Sequence, residues 1–236
     1  MKLHSATSFR YALALSTALL AGCAAAPSRV DPFEPMNRAM YEFHDTVDTA
    51  IVKPFIQAYI DVVPALIRTG ISNIFNNVDD LISAVNGALQ GKPEKFGDDL
   101  GRVLLNTAFG LGGIFDLASM VGIERGNEDF GQTFGVWGMD QGPYLFVPFL
   151  GPTTFRDGAG WLARLAVGPV GYIPDVPVRN VLYGMGATDL RAQAGGPGQL
   201  VDTAAIDRYL FIRNAYLQRR RYLVYDGKPP PAPEEE

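Results

Sequence analysis

Cysteine and histidine are nearly absent: the 236 residues contain one cysteine, Cys23, and two histidines, His4 and His44. A lone cysteine excludes an internal disulfide. So few histidines exclude a His-rich zinc site, and no metal is expected. Also missing is a Gly-x-Ser-x-Gly elbow, so His44 has no nucleophile of that kind to serve and reads as a structural or surface residue. Gly110-Leu111-Gly112-Gly113 and Gly184-Met185-Gly186 do not complete Gly-x-Gly-x-x-Gly. They read as packing or turn glycines, and no cofactor is expected. Charged residues make up only 19% of the chain, and the pairs Asp79-Asp80 and Asp98-Asp99 are adjacent. On a helix adjacent side chains diverge by about 100°, so these read as solvated faces rather than acid–base pairs. Nothing in the chain predicts an enzyme.

What is present begins with an export signal. Lys2 and Arg10 precede an apolar run from Tyr11 to Leu20, and small residues follow up to Gly22. That run is about half of the roughly 20 residues a membrane-crossing helix needs, so residues 1–22 are expected to be a cleaved signal peptide. Leu20-Ala21-Gly22-Cys23 has the layout of a lipobox, which makes Cys23 the lipidation site. Each buried acyl methylene contributes about 0.8 kcal/mol, and two or more chains on one residue give stable anchoring. Ala24 rather than Asp follows Cys23; by resemblance to sorted lipoproteins, this implies the outer membrane of a Gram-negative cell.

Without Lys2 and Arg10, 18 of the 20 basic residues remain against 25 acidic ones, a net charge of −7. Nucleic acid is therefore excluded as a partner, because its binding rests on neutralising phosphate. The mature chain is long enough to bury one core and is expected to form one domain. Its hydrophobic content of 47% is high for an acidic protein, and points to apolar surface that meets lipid or another protein.

Residues 23–30 form a short tether, residues 31–226 the domain, and residues 227–236 a disordered tail rich in proline and glutamate. Met36, Met40, Phe43, Val47 and Ile51 recur at helical spacing, and Pro54 ends or kinks that helix. From Pro64, the series Ile67, Ile71, Ile74, Val78, Leu81, Val85 and Leu89 predicts one long amphipathic helix, or two broken near Asn76-Asn77. Both stripes are open to two readings, core packing and lipid contact.

The segment 103–123 carries one charge, Asp116, and four glycines. It predicts a glycine-flexed helical pair packed on the earlier helices, with Asp116 facing a polar interior. From Gly131 to Phe155 no period emerges, and irregular structure is expected. Within it Gly138, Asp140, Gly142 and Pro143 form a turn between two apolar arms, either static or a hairpin at a pore mouth. A final helix is expected from a cap at Asp202, with Ile206, Tyr209, Leu210, Tyr216 and Leu217 on its apolar face. Arg219, Arg220 and Arg221 lie in its last turns, as a solvated basic end or as holders of anionic headgroups.

Several separated blocks together resemble one family. They are Asp31-Pro32-Phe33-Glu34-Pro35-Met36-Asn37-Arg38, Asn86 through Gly91, Asn106 through Asp116, Asp129-Phe130-Gly131-Gln132-Thr133, and Gly142-Pro143-Tyr144 on to Arg156-Asp157. Their order and spacing resemble the MlaA (VacJ) lipoproteins. The resemblance implies a mainly α, ring-shaped, membrane-embedded domain with irregular glycine, proline and aromatic loops around a central channel. It implies removal of mislocalised phospholipid from the outer leaflet. The implied partners are a trimeric outer-membrane porin, a periplasmic lipid carrier of the MlaC kind and, indirectly, an inner-membrane ABC transporter complex. On that expectation Asn106, Asp116, Gly110, Gly112 and Gly113 are candidate channel residues. The rival expectation is a porin-associated scaffold or adhesin that moves no lipid.

Overall fold

The computed structural model describes residues 30–194 and 207–231. The expected signal peptide, Cys23, most of the tether, Asp202, Ile206 and the end of the tail lie outside the described residues. Helix α1 (Glu34–Val47) starts with Pro35 in its first turn, where a missing N–H is harmless. The end or kink expected at Pro54 comes earlier, as an irregularity, and the proline itself ends nothing. A π-turn over Asp48–Val52 carries α1 into α2 (Lys53–Val62), and the Lys53 N–H reaches the Asp48 carbonyl five residues back. That places Pro54 in the first turn of α2, where it removes no needed bond. Val63 is extended before Pro64, which turns the chain sharply into α3 (Ala65–Leu89).

Helix α3 runs 25 residues without a break. Asn76 and Asn77 do not interrupt it because other elements engage them: the Asn76 carbonyl accepts from Arg125, and the Asn77 amide donates to Thr107. Gly91, at φ +70°, ends the turn after it, and α4 (Pro93–Ala108) packs back along α3. The predicted helical pair over 103–123 is only half realised. Helix α4 stops at Ala108; then Leu111, Gly112 and Gly113 take positive φ, and a single turn, α5 (Leu117–Met120), follows.

The stretch 131–155 is more regular than expected. It holds α6 (Phe130–Val136), capped by Asp129, and an antiparallel hairpin of β1 (Tyr144–Val147) and β2 (Gly151–Thr154), with Tyr144 opposite Thr154. Gly138, Gly142 and Gly151 do take turn conformations at positive φ, but Gly131 is a packing glycine. A Cβ on Gly131 would lie 2.5 Å from Asp157 Oδ1, and one on Gly160 would lie 2.3 Å from the Gly131 nitrogen. The latter sits on α7 (Phe155–Val167), which crosses α6 at that point. After a 3-10 turn at Pro169–Tyr172 come α8 (Val176–Gln193) and α9 (Arg208–Val224). The cap of α9 is Asp207, which accepts from the Leu210 N–H. The expected cap, Asp202, lies outside the described residues, and α9 begins six residues after it.

A small aromatic core of Tyr144, Phe146 and Tyr209, flanked by Tyr41 and Tyr216, joins α1, the hairpin and α9. Asn37 is fully buried beside it, donating to the Tyr144 carbonyl and accepting from the Phe146 N–H. It thereby fixes α1 against β1.

Candidate functional site

The polarity of the fold is inverted. Among the described residues, eighteen buried side chains are polar or charged and nine are apolar, while forty-two large apolar side chains are exposed. On α1 and the π-turn after it, Met36, Met40, Phe43 and Ile51 face out and Asn37 faces in. On α3, Ile67, Ile74, Leu81, Val85 and Leu89 are exposed, whereas Asn77, Asp80, Ser83 and Asn86 are buried. The core-packing reading of the two stripes is therefore corrected. A scatter of exposed apolar residues is ordinary, but whole helix faces are a surface for an apolar partner. No single described helix is long and apolar enough to cross a membrane; α1–α2 together with α3 form one bent pair, at 116°, that has the length and composition. At the bend Val62 and Leu66 are 79% and 78% exposed.

The buried side of α3 and α4 is a charge cluster centred on Arg102, which is 1% exposed. Its Nε donates to Asp80 at 2.9 Å, its Nη2 to both oxygens of Asp116 at 3.0 Å, and its Nη1 to Ser119 Oγ and the Ile123 carbonyl. Arg125 closes on the other oxygen of Asp80 at 2.7 Å. Asp116 also caps α5 and accepts from Asn106. Burial alone would raise its carboxyl, but the Ser119, Arg102 and Asn106 donors outweigh that and hold it down to about 2. Asp99 is fully buried next to this group; burial pushes its carboxyl up, with Asp80 adding to the effect, against the donors Ser83 and Gly126. Asp80 and Asp99 are therefore not on solvated faces, as their sequence suggested.

Asn106, Asp116, Gly110, Gly112 and Gly113 do come together, around the loop between α4 and α5. A Cβ on Gly110 would lie 2.3 Å from the Phe115 carbonyl, and one on Gly113 would lie 2.9 Å from the Asn77 side chain. Gly138, Asp140, Gly142 and Pro143 occupy a linker between α6 and β1. Asp140 accepts from the Gly142 N–H at 2.7 Å, and Gly138 and Gly142 take positive φ. The hairpin itself turns further on, at Pro148–Leu150, where Phe149 has φ +67° and its N–H donates to His44 Nδ1.

The three arginines of α9 part company. Arg220 is turned inward between Asp129 and Asp157, with four bonds of 2.6–3.0 Å. Burial would lower its pKa and raise that of Asp129, but their mutual bonds hold the arginine above and the carboxyl below the usual range. Arg220 is thus committed to the fold and is corrected as a headgroup residue. Arg221 donates to the Pro230 and Pro231 carbonyls, and Arg219 is exposed. Sequence reasoning missed Arg102, Arg125 and the Asp129–Asp157–Arg220 group. A signal existed: Asn73, Asn77, Asp80, Ser83 and Asn86 form a polar stripe on α3 with the same helical period as the apolar one.

The family model described as MlaA lipoprotein matches residues 29–223. The chain belongs to the MlaA lipoprotein family. A Shigella flexneri relative, the intermembrane phospholipid transport system lipoprotein MlaA, is 36% identical, covering 92% of this chain and 89% of its own. The protein of the same name from Escherichia coli K12 is 34% identical over the same shares. A solved structure, from work on the structural basis for maintenance of bacterial outer membrane lipid asymmetry, superposes with a TM-score of 0.73. It is 32% identical and covers 83% of this chain and all of its own. The mainly helical architecture is that of this MlaA neighbour.

Proposed function

We propose that this MlaA family member is an outer-membrane lipoprotein, anchored through Cys23, that removes mislocalised phospholipid from the outer leaflet and passes it to a periplasmic carrier. The observation that carries the reading is the inverted polarity: apolar helix faces outside, and Asn, Asp, Arg and Thr side chains inside. Hydrocarbon accepts the outer faces without penalty, and polar groups that would be costly in lipid are paired within. A headgroup crossing the leaflet requires a polar path shielded from acyl chains, and a polar interior in a ring-shaped domain around a central channel supplies one. The names of the Shigella flexneri and Escherichia coli relatives support the substrate class. The work on outer-membrane lipid asymmetry supports the direction. Transfer of this kind breaks no covalent bond and uses no nucleophile, metal or cofactor in this chain.

In this reading a trimeric porin holds the protein in the membrane. An MlaC-like carrier receives the lipid, and an inner-membrane ABC transporter complex draws it onward. The test is outer-leaflet phospholipid in cells lacking the protein, read with an acyltransferase or phospholipase that reaches only surface-exposed lipid. Surface phospholipid rises, and wild type but not Cys23→Ser restores it. No rise in the deletion would overturn lipid removal and leave a porin-associated scaffold.

A further inference from the structure

Among the described residues, the segment from Phe109 to Val121 carries some of the most exposed large apolar side chains. Phe109, Leu111, Met120 and Val121 are 73%, 69%, 80% and 67% exposed. Exposed apolar loops are ordinarily soft, yet this one is braced from beneath. Its backbone donors turn inward: Gly112 to the Thr107 carbonyl, Gly113 to the Asn106 carbonyl, and Phe115 to the Gly110 carbonyl. The Ala118 N–H goes to Asn106 Oδ1, and the Ile114 carbonyl accepts from Asn73 on α3.

Irregular backbone survives at hydrocarbon depth only when its polar groups are satisfied by protein. Asp116 is the only ionisable group from Val103 to Ile123, and it is turned in and neutralised by Arg102. A protein partner's contact would carry a polar rim; here the exposed Ser119 hydroxyl is engaged by Asp116 and Arg102, so the lip meets its surroundings chiefly through apolar side chains, which matches acyl chains.

We propose that Phe109 to Val121 is a rigid apolar lip seated among lipid acyl chains, and that Arg102 is the positioning residue that holds it there. The inference rests on the lipid-transfer reading and adds a surface and a residue to it. Arg102 ties α3 through Asp80, the loop through Asp116, α5 through Ser119, and the segment leaving α5 through the Ile123 carbonyl. A lysine supplies the charge but not the planar fork that makes these contacts together. In Arg102→Lys the lip loosens while the rest of the apolar surface keeps its place.

The experiment uses full-length acylated protein in vesicles of phosphatidylethanolamine and phosphatidylglycerol with dibrominated acyl chains. A bimane probe is attached at Phe109→Cys, or as a control at Leu66→Cys on the bend. The expected result is strong quenching at both sites in otherwise wild-type protein. In Arg102→Lys, and in Asp116→Asn as a second variant, quenching at the lip falls about twofold and quenching at the bend is unchanged. Lipid-transfer rate falls with it.

Absent quenching at the lip of otherwise wild-type protein overturns the lipid contact and leaves a protein as its occupant. Equal loss at lip and bend in both variants overturns positioning and makes the cluster one of general stability. Unchanged lip quenching with slowed transfer also overturns it. In each of these cases the lipid-removal function stands or falls separately, by surface phospholipid in cells.

Discussion

Gly160→Ala isolates the inverted packing in a single methyl group. A Cβ there would lie 2.3 Å from the Gly131 nitrogen, 2.8 Å from its Cα and 3.0 Å from the Phe130 carbonyl carbon, all of them backbone. No side chain can swing aside, so α6 and α7 must separate by about 1 Å, the kind of overpacking that costs about 1–3 kcal/mol. Against this, alanine is a better helix former by about 1 kcal/mol. Backbone contact puts the clash at the upper end, and the net loss is about 2 kcal/mol. For a domain of this size that lowers Tm by about 4–8 °C. Gly97→Ala is the control, because α4 leaves open space around Gly97; it gains the propensity and raises Tm by about 2–4 °C. Both are read by circular dichroism melting in detergent. A Gly160→Ala protein that melts at or above wild type, beside a Gly97→Ala that behaves as stated, would refute the close crossing of α6 and α7.

Arg220→Met leaves Asp129 without its cation and Asp157 with Arg156 alone and costs about 3–5 kcal/mol in denaturant unfolding; Arg219→Ala stays within about 0.5 kcal/mol. Asp116 and Asp129 have folded pKa values below the ordinary one. Their stabilisation is therefore complete above about pH 4 and is lost as pH falls through the folded values, which for Asp116 is about 2. Asp99, pushed up, opposes that slope, and melting temperature against pH reads the sum. Leu66→Asp, at the exposed bend, leaves stability in detergent within about 0.5 kcal/mol of wild type. It weakens membrane insertion by about 3 kcal/mol, measured by carbonate extraction of the unacylated Cys23→Ser form.

The helices were legible because helical period survives inversion: Met36, Met40 and Phe43 mark a face whether it points to protein or to lipid. Which way it points was not legible from that stripe alone. The stripe opposite decides it, since Asn77, Asp80, Ser83 and Asn86 can be buried only with partners from α4 and α6. Those partners lie up to 47 residues away, beyond any local pattern. Glycine misled for a related reason. Between Phe130 and Phe155 it signals turns by propensity, but Gly131 is dictated by α7 and α9 crossing α6, a tertiary demand that no local period records. Asn106 and Asp116 were legible as polar exceptions in an apolar run; Arg102, which gives them their meaning, sits one turn earlier in a segment that looked ordinarily charged.

The clasp at the chain's two ends bears on how the molecule is made. Val30 accepts from the Tyr144 N–H, and the Asp31 carboxylate is buried by Tyr209 and Arg213, 178 and 182 residues later. During synthesis at about 5–20 residues per second, those partners appear roughly 10–35 s after Asp31. Asn37 meets β1, 107 residues on, well before that, so α1 rests on β1 while it still lacks α9. Among the described helices α1 is the first made and is fully clasped only when α9 arrives, so a chain truncated before α9 would be left open at both ends rather than shortened at one.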